Sequence, residues 1–466
     1  MAEQFQNSTD FSLKSVAIAR LGETNGYDIK QLVNSFSYVE SITSPFVAAT
    51  LVVVDGTGFL NGLPIQGGET VVVTVQTSSN SEPQEYTMVV WRIANRGNQG
   101  KTQAYTLGLV SVEALNNECT RLVKPLSGKP DDIIKKMLRE DLKTEKDFFP
   151  AKATTQFSVK LLPVNRRPFD IISSLAVKSV QSGTSTSFDT ASGSSTKNEK
   201  DTVSGSAGYF FWENKRGYNF FSVDSLLDPD SEDVPIWGEY IEKPANQSDG
   251  ADERFTIASS TFASEADIMS SMRMGKYSSL MVFFNHATGQ YHEYHYSVRD
   301  AYKDMKHLGA QNTPSLIKFE NKDISDYPTR IISGLLDHES WYNEPGIASY
   351  EEEDGSDSPS EFCDFHKHFA AQSLMRYELL KNQMGTVVIP GNSEICAGDR
   401  VRIKLVNKIS TEEAKTKPYD EESSGVYLIE EVTHEYSRTE GMNGRFITTL
   451  RLMRDSYGDV ESKHGN

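Results

Sequence analysis

Apolar side chains that recur at every second position near the C-terminus are the feature that most constrains this chain. Within residues 385–455 they form three runs, which are Val401, Ile403 and Leu405, then Val426 and Leu428, then Phe446, Leu450 and Leu452 with Thr448 at the remaining position of the alternation. Successive side chains of a strand point to opposite faces, so a spacing of two places each run on one face. Gly391 and Gly398 supply turns between the runs. The stretch therefore predicts an antiparallel meander.

The N-terminal part carries the same signal more densely. Residues 12–114 contain six short apolar runs, separated by turn residues such as Gly22, Asp55-Gly56 and Gly67-Gly68. No helical pattern intervenes between them. Short strands at this spacing favour a closed barrel or a sandwich over alternating strands and helices.

The middle of the chain is mixed. Pro130, Asp131 and Asp132 suit a helix start, and Ile133, Ile134, Met137 and Leu138 form an apolar stripe. Residues 181–207 are rich in Ser, Thr and Gly and predict a flexible insertion. Two aromatic strands around Asn214-Lys215-Arg216-Gly217 predict a hairpin.

Length and composition exclude several classes of protein. A chain of 466 residues suggests roughly three domains. Three scattered cysteines are too few for a disulfide framework, and no apolar run is long enough to cross a bilayer. Asp and Glu outnumber Lys and Arg by 65 to 47, giving a formal charge of -18. This balance argues against tight nucleic-acid binding but not against nucleic acid passing by, because an acidic wall gives phosphate nowhere to bind.

Two short motifs invite a functional interpretation that their context does not support. Residues 96–102 end in Gly-Lys-Thr, but two residues rather than four separate the glycines and a strand follows, so a hairpin turn is predicted instead of a phosphate loop. His286, His292 and His295 lie close in sequence. On a strand, positions 292 and 295 face opposite sides and cannot chelate one ion.

The better metal candidate is the cluster Cys363, His366 and His368. On a helix Cys363 and His366 share a face, and on a strand the two histidines do, but neither geometry brings all three together with a fourth ligand. A partly buried helix start is the alternative. No Gly-x-Ser-x-Gly elbow or cysteine-protease phrase is present, so we expect no catalytic residues, no enzyme activity and no cofactor.

Four stretches resemble, in order, the baseplate hub proteins of T4-like phages. Residues 38–75 contain Glu-Ser-Ile before a proline, Asp-Gly after an apolar strand and Leu-Pro-Ile before glycines, and residues 385–455 contain YLIEEVTH and a closing Arg-Asp. Residues 208–227 and 275–298 complete the match. The P2-like D protein and the N-terminal hub part of type VI secretion spike proteins are more distant relatives of this family.

The resemblance implies a mainly β fold with inserted α/β parts, in which two similar antiparallel, tail-tube-like β-barrel domains accompany a smaller mixed domain. The expected organisation is an N-terminal arm (1–9), a first barrel (10–117), a mixed domain (118–250) with a flexible loop (181–207), a second barrel (251–305 and 384–456), an insertion with an acidic linker and a helix (306–383), and a C-terminal tail (457–466).

The resemblance also implies a function. It suggests a homotrimeric, pseudo-six-fold hub ring in the virion, assembled in the host cytoplasm, which joins the tail tube to the spike and lets DNA pass without membrane insertion. Expected partners are tail tube or tube-initiator proteins, the tape-measure protein and baseplate wedge proteins. Because the sequence ends soon after Asp455, we expect the trimeric spike to be a separate protein. The hub of an extracellular contractile injection system, a glycan-binding β-protein and a zinc hydrolase are the alternatives.

Overall fold

The structure is a computed structural model. It describes residues 7–20, 26–56, 58, 65–99, 102–189, 200–243, 252–263, 267–285, 290–309, 318–336, 365–408, 418–438 and 444–459.

The first part of the chain is a set of antiparallel strands around one core. The strands are β1 (Phe11–Ala19), β2 (Tyr27–Asp28), β3 (Val33–Ser41), β4 (Ala48–Asp55), β5 (Thr70–Thr77), β6 (Asn80–Gln99) and β7 (Thr102–Val110). Alternate residues of β3, β4, β5 and β7 are buried, as the period of two predicts. Their inward side chains, such as Phe36, Leu51, Val73 and Leu107, form a common core. We call this set the first half.

The middle domain packs helices on a small sheet. In chain order its elements are α1 (Val112–Cys119), β8 (Leu126–Gly128), α2 (Pro130–Lys136) continued by a π-helical turn (Met137–Asp141), β9 (Phe148–Pro150), β10 (Val159–Leu161), α3 (Pro168–Lys178), β11 (Val180–Asp189), β12 (Lys200–Ala207), β13 (Tyr209–Asn214), β14 (Gly217–Ser222) and α4 (Val223–Leu227). The helix at 130 and the aromatic hairpin follow the sequence prediction. The core joins Ile134, Phe169, Tyr218 and Phe220.

The prediction of a flexible loop over 181–207 is wrong for most of its length. Strands β11 and β12 pair antiparallel from Val180↔Ala207 to Asp189↔Lys200, with one irregularity in register. A strand pair is held by backbone hydrogen bonds, so a run poor in apolar side chains can still form one. Residues 190–199 lie outside the described chain.

The remaining elements build a second half of the main sheet and a separate module. They are β15 (Ile236–Ile241), β16 (Ser259–Ala263), α5 (Ile268–Met274), β17 (Ser278–Asn285), β18 (Gln290–Ser297), α6 (Val298–Ala301), β19 (Lys318–Phe319), β20 (Lys322–Asp323), β21 (Arg330–Leu336), α7 (Phe365–Phe369), α8 (Gln372–Leu379), β22 (Gln383–Pro390), β23 (Arg400–Lys404), β24 (Gly425–Ser437) and β25 (Arg445–Arg454). Strands β15, β16 and β22 to β25 form the second half, with the meander predicted over 385–455.

The assignment of residues 275–298 to the second barrel is wrong. Strands β17 and β18 pair with β21 in their own three-stranded sheet, whose inner face packs against α8. We call this sheet together with α8 the module. Strand β16 lies beside β22 in the second half instead. Periodicity identifies a strand but not its partner, and for this reason the sequence could not separate the two possibilities. The acidic linker predicted at 351–357 lies outside the described residues, whereas the helix predicted near 369–382 is α8.

The two halves form one continuous sheet of 13 strands. Within it, eight neighbouring strands run in the order β16-β22-β25-β24-β3-β4-β7-β6, and every neighbouring pair is antiparallel. The halves meet at β3 and β24, which pair from Ser41↔Glu431 to Ser35↔Ser437. The predicted mainly β fold with inserted α/β parts is confirmed. No helix among the described residues is long and apolar enough to span a membrane.

Candidate functional site

The site that holds the architecture together is a buried polar junction where both halves meet the middle domain. We define the junction as Glu40 of β3, the hairpin between β13 and β14 (residues 214–217), and the loop between β22 and β23 (residues 391–399). The carboxylate of Glu40 accepts hydrogen bonds from the backbone N–H of Lys215 (2.6 Å), the backbone N–H of Ala397 (3.0 Å) and the hydroxyl of Tyr38 (3.1 Å). One side chain therefore connects three parts of the fold.

Further contacts close the junction from both sides. The guanidinium of Arg216 donates two hydrogen bonds to Asp399, at 2.9 and 2.8 Å, in a bidentate arrangement. The ammonium of Lys215 donates to the carbonyl oxygen of Ser393. The Ser393 hydroxyl lies 3.1 Å from that of Thr77 at the end of β5. The loop of the second half is thus tied to the first half as well as to the hairpin.

Packing around Trp212 makes the junction intolerant of change. The indole N–H of Trp212 donates to the carbonyl oxygen of Ala397 at 2.9 Å. The next residue, Gly398, has φ +90, and a Cβ there would lie 2.3 Å from the indole ring. Only glycine satisfies both the backbone conformation and the space.

Burial dominates the protonation of the junction. The side chain of Glu40 is 1% exposed, and burial raises its pKa from 4.5 to about 7, although its hydrogen bonds favour the charged form. Burial likewise raises the pKa of the Cys396 thiol well above its usual value. A neutral, buried thiol is a poor nucleophile. These groups are suited to holding the halves in register rather than to reacting with a substrate.

A second buried cluster joins the middle domain to the first half. The ammonium of Lys146 lies 2.8 Å from a carboxylate oxygen of Glu113 and 2.5 Å from one of Glu213. The other oxygen of Glu213 accepts from the backbone N–H of Val47, just before β4. One cation shared by two carboxylates leaves a net negative charge, and burial raises the pKa of Glu213.

A third cluster holds the separate module in place. Arg376 of α8 is fully buried, donates to Asp224 and to the carbonyl oxygen of Lys306 (2.9 Å), and lies 3.6 Å from the carboxylate of Asp455. The ring of His307 lies 2.5 Å from the same carboxylate. Burial raises the pKa of Asp455, but the His307 hydrogen bond and the nearby positive charge outweigh it and hold that pKa below its ordinary value.

The histidines of the predicted metal cluster lie in apolar surroundings. The His366 ring lies 5.7 Å from that of Phe283 in the module, and the His368 ring lies 4.9 Å from that of Phe157 in the middle domain. Burial lowers the pKa of His366 to about 4 and that of His368 to about 3. The His366 ring also lies 5.3 Å from that of Phe369, which shares a core with Phe157, so both rings border that core. Cys363 lies outside the described residues, so the three-ligand hypothesis stays a prediction, and the described part of the chain contains no other metal-ligating group of three.

The two remaining motifs occupy strands. The motif at residues 96–102 spans the end of β6 and the start of β7, and Gln99 pairs with Thr102 as expected for a hairpin. Its residues Gly100 and Lys101 lie outside the described residues. His295 of β18 lies 2.7 Å from the hydroxyl of Ser278, and His292 is on the same strand. His286 is not described.

The sequence analysis missed the three buried clusters, although one left a signal. In the run Phe36, Tyr38, Glu40 and Ile42, a carboxylate occupies an inward position of an otherwise apolar alternation. A charge at such a position indicates a buried polar contact. Arg376 left no signal, because its partners Asp224 and Asp455 are distant in sequence.

Comparison with known proteins supports the fold. No protein-family model matches the sequence, and no curated protein matches it. The structure is similar to that of the tail protein from Neisseria meningitidis MC58, with a TM-score of 0.51 and 12% identity over 96% of this chain and 97% of that chain.

Two further solved structures match at lower TM-scores. The 43 kDa tail protein of prophage MuSo2 from Shewanella oneidensis matches at 0.46, with 9% identity over 95% of this chain and 98% of that chain. The E. coli c3393 protein, a component of the type VI secretion system, matches at 0.40, with 10% identity over 96% of this chain and 78% of that chain. The similarity to the tail protein from Neisseria meningitidis confirms the predicted resemblance at the level of the fold.

Proposed function

We propose that this chain is the structural hub subunit of a contractile tail baseplate, and that three copies form a ring between the tail tube and the spike. The observation that carries the proposal is the pairing of β3 with β24, which places two β halves, each with its own core, side by side in one sheet. Three chains would present six such units. This number matches a six-fold tube on one side and a three-fold spike on the other.

The buried polar clusters support a structural role for the chain as one body. Glu40, Arg216 and Arg376 connect the halves, the middle domain and the module through buried hydrogen bonds and ion pairs. Buried polar networks with defined partners fix one arrangement of the parts they join. A ring that must keep six units in register needs this rigidity.

The charge of the chain is compatible with passage of DNA. Three copies would carry a formal charge of about -54, which is three times -18. A negative lumen does not trap a polyanion. In this function the chain is part of the virion and itself catalyses no reaction. Its partners are a separate trimeric spike protein, tail tube or tube-initiator proteins, the tape-measure protein and wedge proteins.

The proposal is tested by native mass spectrometry of the purified chain, followed by class averages of negatively stained particles. We expect a species of three times 52.0 kDa that appears end-on as a six-lobed ring with an open centre. A stable dimer or a closed tetramer would refute the proposal. Glycan-array binding, or one zinc ion per chain, would then direct attention to the alternative functions.

A further inference from the structure

Charge is distributed unevenly along this acidic chain. Residues 337–364, which join β21 to α7 and lie outside the described chain, contain ten Asp and Glu and no Lys or Arg, so they carry -10 of the formal charge of -18. We call them the acidic segment. Residues 112–178 of the middle domain have the opposite balance, with thirteen Lys and Arg against nine Asp and Glu, a net charge of +4. Two parts of one chain with opposite charge attract each other.

Two cations at the ends of α3 have no anionic partner within the described chain. Arg166 lies two residues before the helix, and Lys178 is its last residue. Neither side chain makes a hydrogen bond or an ion pair to another described residue. Burial lowers the pKa of the Lys178 ammonium, and the charge of Arg166 lowers it further. An anion placed here would stabilise both cations. We call Arg166 and Lys178 the cationic face.

The acidic segment ends beside this face. Its last residue precedes Phe365, which begins α7. At the other end of α7, Phe369 shares a core with Val180, which is two residues after Lys178. Burial and then the charge of Lys178 lower the pKa of His366, the second residue of α7. The packing of α7 therefore fixes the end of the acidic segment close to Lys178.

Two carboxylates of the acidic segment lie very near that end. Asp364 immediately precedes Phe365, and Glu361 lies four residues before it. Four residues span at most about 14 Å, so both carboxylates stay within a short distance of Lys178. Because the chain tethers them, their effective concentration at the face is on the order of millimolar. Ion pairs that are weak individually are then sufficient to hold the segment.

A denser group of carboxylates can reach the other end of α3. Residues 351–354 are Glu-Glu-Glu-Asp, and the last of them lies eleven residues before Phe365. An extended chain of that length spans up to about 36 Å. Helix α3 has 11 residues and is therefore about 16 Å long. The acidic segment is thus long enough to contact Lys178 and Arg166 at the same time.

Other polyanions are less suited to the cationic face. The chain as a whole carries a formal charge of -18, so a nucleic acid or an anionic membrane meets net repulsion as it approaches. The acidic segment meets no such barrier, since it belongs to the same chain. Its Phe362 lies among the carboxylates near Lys178, where Val177 is 38% exposed. Charge and apolar character therefore match together.

We propose that residues 351–364 bind to the cationic face of the same chain, with Glu361 and Asp364 at Lys178 and residues 351–354 toward Arg166. The contact is independent of the proposed ring. Because the acidic segment starts at the end of β21, the contact ties the module to the middle domain by a second route, besides the cluster around Arg376. It gives the most acidic stretch of the chain an intramolecular partner.

Carbodiimide cross-linking of the wild-type chain tests the contact directly. This reagent joins a carboxylate to an ammonium that touches it, and mass spectrometry locates the new amide bond. We expect cross-links from Lys178 to residues 351–364 at low salt, and at least about fivefold fewer at 1 M salt, where the Debye length is about 3 Å. Lys135, exposed on α2 of the same domain, is the internal control and should form few links to the segment.

Isotope mixing shows which chain supplies the segment. Cross-linking an equal mixture of 15N-labelled and unlabelled chains should give links within one chain. Links mainly between labelled and unlabelled chains would place a second copy on the cationic face and would overturn the proposal.

Charge reversal gives a second measurement. In the double variant Arg166→Glu, Lys178→Glu, the amides of residues 351–364 should exchange with deuterium at least about fivefold faster than in the wild type. The matched control is Lys135→Glu, Lys136→Glu, which changes the net charge equally at two exposed positions of α2 and should leave this exchange unchanged. Circular dichroism checks that each variant folds.

A variant on the acidic side avoids any change to the packed middle domain. In Glu361→Gln, Asp364→Asn, the Lys178 ammonium loses its nearest anions and should be acetylated at least about threefold faster than in the wild type. The acetylation rate of Lys135 should stay the same. An unchanged rate at Lys178 would contradict the contact even if Lys178→Glu failed to fold.

The remaining outcomes are equally decisive. Absence of Lys178 cross-links, with equal exchange of residues 351–364 in the wild type and in the charge-reversed variant, refutes the proposal. Faster exchange in the Lys135→Glu, Lys136→Glu control as well would also refute it, because the effect would reflect net charge alone. If charge reversal instead weakens binding of the chain to phosphatidylglycerol vesicles or to single-stranded DNA and leaves the exchange unchanged, a different polyanion occupies the face and the inference fails.

Discussion

Replacing Arg376 by Met tests whether the buried ion cluster holds the module to the rest of the chain. The guanidinium is fully buried between the carboxylates of Asp224 and Asp455. Methionine fills a similar volume but removes the guanidinium from both buried carboxylates, and only Asp455 keeps a side-chain partner of the cluster, His307. Breaking a buried pair from one side costs about 3–5 kcal/mol. We therefore expect the free energy of unfolding of Arg376→Met to fall by about that amount in urea titrations at neutral pH.

A double-mutant cycle gives the reasoning a sharper test. Asp224→Asn removes one of the uncompensated charges, so the double variant should recover about 1–3 kcal/mol relative to the sum of the single variants. Arg273→Met, on the exposed surface of α5, is the matched control and should change stability by less than about 0.5 kcal/mol. A loss below about 1 kcal/mol in Arg376→Met would show that the cluster does not stabilise the fold in the way described.

Three other predictions concern the junction and its neighbour His434 of β24, whose ring nitrogens lie 3.1 Å from the hydroxyl of Thr448 and 3.2 Å from the carbonyl oxygen of Ile395 in the junction loop. Burial lowers the pKa of His434 to about 3, so below pH 6.5 the folded state binds fewer protons than the unfolded state. The free energy of unfolding should therefore fall by about 2–3 kcal/mol between pH 6.5 and 4.5. Urea titrations of His434→Gln should lack this part of the pH dependence. The pH dependence has the opposite sign for Glu40, whose pKa is raised to about 7 in the folded state. Its contribution to the free energy of unfolding is present below pH 4.5 and is lost as the pH rises to 7, a fall of about 3 kcal/mol. Glu40→Gln should remove this fall. In Gly398→Ala the new Cβ would lie 2.3 Å from the Trp212 ring. We expect the free energy of unfolding to fall by about 3 kcal/mol or more and the tryptophan fluorescence to shift. An unchanged spectrum and stability would contradict the packing described.

The strands were largely predictable because their signal is local. A half-buried strand alternates apolar and polar residues whatever its partner, and the runs at 385–455 and 12–114 carry this pattern over most of their length. Pairing is not local. Nothing in residues 278–285 shows that β17 lies beside β21 rather than in the second half, and β11 has little apolar character from which a strand could be inferred.

The candidate site was less predictable than the fold for a related reason. The carboxylate of Glu40 is visible as an exception within an apolar alternation, but its donors at Lys215 and Ala397 are backbone groups, which any residue supplies. Such sites arise from the arrangement of strands, and they leave little trace in residue type.

The pairing of β3 with β24 also sets a schedule for synthesis of the chain. Strand β3 is complete at Ser41 and β24 begins at Gly425, so the 383 residues from 42 to 424 are made in between. At roughly 5–20 residues per second, translation of this interval takes about 20–80 s. Throughout that time the edge of β3 on a nascent chain has no partner, and on a crowded polysome it is exposed to the β3 edges of neighbouring chains. Strand β24 thus covers an edge that was made much earlier, and ribosomes that stall before Gly425 would release chains prone to aggregation.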